Sequence, residues 1–229
     1  QYLASKDNFS IHGDLKLFCS HQLNNIVDIY LLPFLQKYPH VSLTTTEATT
    51  EDILKNIIVP QNSALAFIIV SMERLMKYKE DIKAHYNCYL ILSEPLRVIM
   101  DKNNPYASQS SISLRKLSKL PFVLFSSSFD KVSTNIQTIL DQNISLHLKY
   151  CSNSPTSLSN YLKQNMAFSL ATKTQMPMPA DPTIVSVPIK ERLYIAFCFL
   201  VPKSPLSPPQ QAFYDIFLEI TPSTTQKLF

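Results

Sequence analysis

Asp14-Leu15-Lys16-Leu17-Phe18-Cys19 alternates polar and apolar side chains, and the patterns that follow it decide the fold. Strict alternation marks a strand with one buried face. From Gln22 to Tyr38 the period changes. Leu23, Ile26, Val27, Tyr30, Leu31, Phe34, Leu35 and Tyr38 recur at helical spacing, with Pro33 predicting a kink. Val41 to Glu47 alternates again, and Thr50 followed by Glu51-Asp52 opens a helix to about Val59. Thr50 would cap that helix, and the two carboxylates suit the positive end of its dipole. Pro60-Gln61-Asn62 then turns the chain into Ala64 to Val70, an unbroken apolar run typical of a strand buried on both faces. The order β-α-β-α-β predicts a parallel sheet with helices on both sides.

Working outward, further strands are expected near Tyr89 to Leu92, Leu96 to Met100, Phe122 to Phe125, Leu146 to Cys151, Phe168 to Ala171 and Tyr194 to Val201. Helices are expected near Ser113 to Lys119, Asp130 to Gln142, Thr156 to Gln164 and Pro208 to Glu219. Ser207-Pro208-Pro209-Gln210 has capping-box spacing with proline at the first helical position, and Ser154-Pro155-Thr156 starts its helix by the same logic.

Composition removes whole classes of chemistry. The 229 residues include one glycine, Gly13, where average usage predicts roughly 16. No glycine-rich phosphate loop, dinucleotide turn or G-x-S-x-G elbow can be built from it. The net charge of +4 is spread along the chain, and the densest basic stretch, Arg115-Lys116 with Lys119, reads as a solvated helix face. The chain is therefore not expected to bind DNA unaided. Cys19, Cys88, Cys151 and Cys198 lie far apart in apolar runs and read as buried free thiols. His85 and Cys88 have ligand spacing but no second pair, so no metal site is expected. The five histidines form no H-E-x-x-H pair, and no Ser-His-Asp set is legible, so no catalytic residue is assigned and no enzyme is expected. No apolar run approaches the roughly 20 residues of a membrane-spanning helix. The start at Gln1, without a signal peptide or an initiating Met, suggests a processed or truncated chain.

Several stretches in order resemble the effector-binding domain of LysR-type transcriptional regulators. Gly13-Asp14-Leu15-Lys16-Leu17 is similar to the family's G-x-L-x-I opening, followed by Leu31-Leu32-Pro33 and Lys37-Tyr38-Pro39-His40-Val41. Glu94-Pro95-Leu96-Arg97-Val98-Ile99 through Asn104-Pro105-Tyr106-Ala107 is similar to E-P-L-x-L-V…H-P-L-A. Leu114 and Leu117 before Pro121-Phe122-Val123 match another segment, and Pro205-Leu206-Ser207-Pro208 with Ala212-Phe213 matches R-x-L-S-P-A-A-x-A-F. There are departures. The glycine positions of two family turns hold Asn62 and Asn165, of which Asn165 is expected to take the left-handed conformation, and a position often acidic is Cys151.

The resemblance implies an α/β fold of two Rossmann-like lobes, of periplasmic-binding-protein type II architecture, joined by two crossover strands. It divides the chain into residues 11–94 plus 193–229 and residues 95–192, with 1–10 as the remnant of a linker to a DNA-binding domain outside this chain. It implies a cytoplasmic ligand-sensing regulator that forms a homodimer or tetramer, the stretches 23–38 and 130–142 being where pairing is expected. In open α/β lobes the ligand sits beyond the carboxyl ends of strands, facing helix N-termini that favour anions. Candidate ligand residues are Ser20, His21 and Gln22 after the first strand, Ser71 after the third, Ser126 and Ser127 after Phe125, and Asn153, Ser154 and Thr156 after Cys151. Ser20, Ser154 and Thr156 have helix capping as the bland alternative. The expected partner is a small polar or anionic metabolite, with no cofactor. A transporter's solute-binding protein, which would carry a signal peptide upstream, is the alternative on the same fold.

Overall fold

The apolar run after Asn62 becomes the centre of the first sheet. It forms β3 (Leu65–Ser71), all seven residues of which are buried. The computed structural model describes residues 11–21, 23–58, 63–125, 133–152, 154–165, 167–176, 181–221 and 225–229. The chain divides into two compact units, residues 1–92 with 196–229 and residues 93–195.

Unit 1 opens with β1 (Gly13–Ser20), α1 (Asn24–Lys37), β2 (Val41–Ala48), α2 (Thr50–Ile58) and β3, the order read from the sequence. β1 pairs in parallel with β2 and with β3. Two short helices follow, α3 (Met72–Lys77) and α4 (Lys79–His85). The chain leaves through β4 (Tyr86–Pro95) and returns through β10 (Tyr194–Pro202), ending in α8 (Pro208–Ile220) and β11 (Gln226–Lys227). The sheet order is β11-β4-β10-β3-β1-β2, with β11 antiparallel to β4.

β3 is buried on both faces because its alternate residues meet different layers. Ala66, Ile68 and Val70 join Ile53, Leu54, Leu75 and Ile82 from α2, α3 and α4. Phe67 points the other way, stacked on Phe199 at 4.4 Å between ring centroids and set edge-on to Phe213 of α8. Phe34 of α1 meets Phe213 edge-on at 5.3 Å. Fully burying one such ring contributes about 1.5–3 kcal/mol, so these aromatics anchor α1 and α8 to the sheet.

α1 continues as one helix across Pro33. The missing N–H leaves the Ile29 carbonyl without its helical partner, and Ile29 is on the exposed side where water can serve it. In α8, Pro208 begins the helix and Gln210 Oε1 accepts from the Ser207 N–H at 2.9 Å, the glutamine arm of the expected capping box. Gly13 has φ +116°, and an added Cβ would meet only Pro209 Cγ at 3.8 Å. The requirement for glycine there is conformational rather than spatial.

Unit 2 contains β5 (Arg97–Asp101), α5 (Leu114–Leu117), β6 (Pro121–Phe125), α6 (Thr134–Leu140), β7 (His147–Ser152), α7 (Pro155–Asn165), β8 (Ser169–Ala171) and β9 (Ile184–Pro188). The parallel pattern of unit 1 does not extend through it. β5 is antiparallel to both β8 and β9, whereas β6 and β7 are parallel. Phe122 and Phe168 form a parallel bridge, so β8 continues alongside β6. The core gathers Ile99, Val123, Leu158, Leu162, Ala167, Ala171 and Ile184.

Three expectations are corrected. Thr50 does not cap α2: Thr49 Oγ1 accepts from the Asp52 N–H at 3.1 Å, one residue earlier, and frees Thr50 for the core. Asn165 is helical, the last residue of α7; among the described residues the left-handed non-glycine positions are Asn143 and Arg192. Asn62 lies outside the described residues. Cys19, Cys88 and Cys198 are buried, but Cys151 near the end of β7 is only half-buried.

Candidate functional site

At the carboxyl end of the unit 1 sheet, the β1–β3 ladder stops at Cys19 opposite Phe67, and a side chain takes over from the backbone. The Ile69 N–H donates to Ser20 Oγ at 3.2 Å, and Thr50 Oγ1 donates to the Ile69 carbonyl at 2.5 Å. Thr50 has one hydroxyl hydrogen, so in the 2.7 Å contact between the two hydroxyls Ser20 is the donor. Ser20 and Thr50 thus serve both polar groups of one residue and tie β1, α2 and β3 together. Both are buried. Ser20 caps no helix, since α1 has Leu23 at its N-cap and no side-chain cap.

His21 lies outside this set. Its Nδ1 is 3.3 Å from Glu47 Oε2 at the end of β2, both side chains about half exposed, and its N–H donates to the Ala48 carbonyl at 3.3 Å. Ser71 ends β3 and caps α3, accepting from the Arg74 N–H at 3.2 Å. Arg74 in turn pairs with Glu51 of α2. The end of the sheet therefore collects Ser20, His21, Ser71, Thr50, Glu47, Glu51 and Arg74. The sequence reading identified the first three as ligand candidates and missed the Glu51–Arg74 pair, which only the packing of α2 beside α3 reveals. Cys19, near the end of β1, is a poor nucleophile. Burial, with the nearby charges of Glu47 and Asp28, pushes its thiol up to about 12.

In unit 2, Ser154 Oγ accepts from the Ser157 N–H at 3.3 Å and so caps α7, while its own N–H donates to Ser152 Oγ at 3.1 Å. Thr156 is exposed in the first turn. Gln22, Ser126, Ser127 and Asn153 lie outside the described residues. A polar cluster absent from the sequence reading stands at the end of β8. Asn135 Nδ2 donates to the Leu170 carbonyl at 3.1 Å and to Gln175 Oε1 at 2.9 Å. The Thr172 N–H donates to the same Gln175 oxygen, and the Gln175 N–H to Thr172 Oγ1. Beside it, Glu94 accepts from both the N–H and the hydroxyl of Thr174, each at 2.9 Å. No spacing rule points to a buried asparagine on α6, which is why it was missed.

His85 is exposed at the end of α4 while Cys88 is buried in β4, so the metal-ligand spacing seen in the sequence does not become a shared site. Among the described residues no group of three His, Cys, Asp or Glu is placed to hold a metal, and no helix is long and apolar enough to cross a membrane.

Two α/β units, with hydroxyls and helix starts gathered at strand ends, define a ligand-binding architecture rather than a phosphate-loop or dinucleotide one. Residues 10–221 match the family model described as the LysR substrate binding domain, and the chain belongs to that family. No curated protein matches the sequence. Among solved structures, the chain is similar to the regulatory domain of Synechocystis PCC6803 CcmR in complex with 2-PG. The TM-score is 0.72 at 17% identity, covering 93% of this chain and 99% of that one. It is also similar to the effector-binding domain of QuiR in complex with shikimate, with TM-score 0.64, 17% identity, and 92% and 98% coverage. HinK, a LysR family transcriptional regulator from Pseudomonas aeruginosa, gives TM-score 0.62 at 18% identity, with 94% and 72% coverage. The fold is that of periplasmic-binding-protein type II domains, and the chain is a ligand-sensing regulatory domain.

Proposed function

We propose that this domain senses a small polar or anionic metabolite and passes the signal to a winged helix-turn-helix domain outside the chain, through which the regulator meets DNA. The family match over residues 10–221 carries the reading, and it favours a cytoplasmic regulator over a transporter's solute-binding protein. Binding rather than catalysis is the role, and the match to a substrate-binding domain supports it. The ligand lobes are residues 11–94 with 193–229 and 95–192, and residues 1–10 belong to the linker. Ligand contacts come from the strand-end groups: Ser20, His21, Gln22 and Ser71 in the first lobe, and Ser126, Ser127, Asn153, Ser154 and Thr156 in the second.

The regulator pairs with a second copy through α1, where Ile29, Leu32 and Leu35 are exposed at three-residue spacing, and through α6, where Leu140 is exposed. Sedimentation of the wild-type chain should show a dimer at micromolar concentration that Leu32→Glu dissociates. A wild-type monomer would count against the pairing surface. Thermal-shift screening of small carboxylates and phosphates, with 2-PG and shikimate among them, should find a stabilising compound. Calorimetry with that compound should then show weaker binding by Ser20→Ala and Ser126→Ala, and unchanged affinity in both would remove the site.

A further inference from the structure

Among the described residues, one buried side-chain atom lacks a hydrogen-bond partner: Asn135 Oδ1. Asn135 is 3% exposed, and its orientation is fixed. Nδ2 faces the Leu170 carbonyl, which can only accept, so exchanging the amide's oxygen and nitrogen would set two acceptors against each other. The orphan is therefore an acceptor. Buried polar groups are satisfied in the great majority of cases, and an exception in a native structure calls for a donor that arrives from elsewhere.

Its location narrows what that donor is. Leu170 follows the bridge between Phe168 and Phe122, so it is level with the carboxyl-terminal half of β6. Asn135, in the first turn of α6, is held against that strand end, where α/β units take their ligands. Gln175 and Thr172, closed on each other and on Nδ2, hold the amide in place from behind. The environment fixes the amide through its nitrogen and leaves the oxygen to read something.

We propose that Asn135 Oδ1 accepts a hydrogen from a hydroxyl or ammonium group of the effector, so the ligand class is a hydroxylated or aminated small acid rather than a bare carboxylate or phosphate. The inference rests on the reading of the domain as a sensor of small polar or anionic metabolites, and it adds a requirement to that ligand. A site built to take a donor discriminates against the analogue lacking it, because the acceptor is then left unpaired.

Two triads sharing a carbon skeleton test it by calorimetry on the 229-residue chain: propionate, lactate and alanine, and succinate, malate and aspartate. In at least one triad the hydroxylated or aminated member should bind roughly tenfold or more tightly than the parent acid, the scale of one hydrogen bond. Asn135→Leu should reduce that ratio to about twofold or less. The ratios within each triad on the wild-type chain decide the matter if the leucine variant does not fold. Equal binding of parent and substituted acids by the wild-type chain overturns the inference and leaves the sensor reading intact. An ordered water on Oδ1 in a complex with a bound acid also overturns it. Absence of binding by all six acids overturns the inference and counts against the small-acid reading itself.

Discussion

The two units end their sheets in different ways. In unit 1, Ser20 and Thr50 exchange hydrogen bonds with each other and with both polar groups of Ile69. In unit 2, Asn135 spends its nitrogen on Leu170 and Gln175 and keeps a buried oxygen open. A satisfied network stabilises whether or not a ligand is present, whereas an open acceptor is costly until something donates to it. The cores differ in degree. Unit 1 gathers Phe34, Phe67, Phe199, Phe213 and Phe217, all fully buried, while unit 2 buries Phe122 and Phe168 beside an aliphatic cluster around Ile99 and Leu162. Unit 1 thus reads as the half with the larger aromatic core, and unit 2 as the half that keeps one buried acceptor open.

The largest test of that contrast is Phe67→Ala. The ring is fully buried among Tyr30, Phe199 and Phe213, and its removal should cost about 3–5 kcal/mol in a urea titration. A loss under about 1 kcal/mol would mean that the aromatic layer is not what holds α1 and α8 to the sheet. Ser20→Ala comes next. It removes the hydroxyl to which the Ile69 N–H donates and the donor that Thr50 accepts from, so a loss of about 1–3 kcal/mol is expected. The double variant with Thr50→Val should cost less than the two singles together, because both act on one network. Additive losses would show that the hydroxyls work independently. In unit 2, Ser154→Ala removes one cap from α7 and should cost about 1 kcal/mol. An unchanged midpoint would indicate that the cap at 3.3 Å contributes nothing.

The legible part of this molecule was the part in which local pattern and tertiary role coincide. β3 shows seven apolar residues because both its faces are covered, and Ser207 to Gln210 carry a cap that acts within one turn. α3 and α4 escaped because each is a single short helix that buries one apolar residue, Leu75 or Ile82, which is too little for a periodic signal. β11 is two residues long and exists because the edge of β4 is there to pair with, a fact about distant chain. The strand-end serines are legible by position, and the cap offered for Ser154 is present. Ser20 caps no helix; its hydroxyl joins three elements, which spacing does not reveal. Thr49 and Thr50 differ by one place in the sequence and by a whole environment in the fold, since one faces the helix start and the other the strands. Asn135 was invisible because nothing local distinguishes a buried amide on a helix from an exposed one.

The smallest expected effect on stability is also the most direct way to sharpen the comparison, since the cysteines divide along the same line. Cys19, Cys88 and Cys198 belong to unit 1 and are buried; Cys151 belongs to unit 2 and is half-buried. Burial raises the Cys19 thiol to about 12, and the hydrogen bond with Cys88, together with burial, holds that of Cys198 well above the usual range. Thiolate is the reactive form, so a thiol reagent at neutral pH should label Cys151 first, and Cys151→Ser should abolish that phase with a stability change within about 0.5 kcal/mol. The unit 1 thiols should react only as the protein opens. Their sign follows from linkage. A thiol whose folded value is raised contributes stability in full below its unfolded value near 9 and loses it as pH climbs toward 12. Alkaline titration should therefore unfold the wild-type chain at lower urea between those limits, with Cys19→Ala showing a shallower decline. Rapid labelling of Cys19 in the folded chain at neutral pH would contradict the burial that sets the unit 1 thiols apart from Cys151.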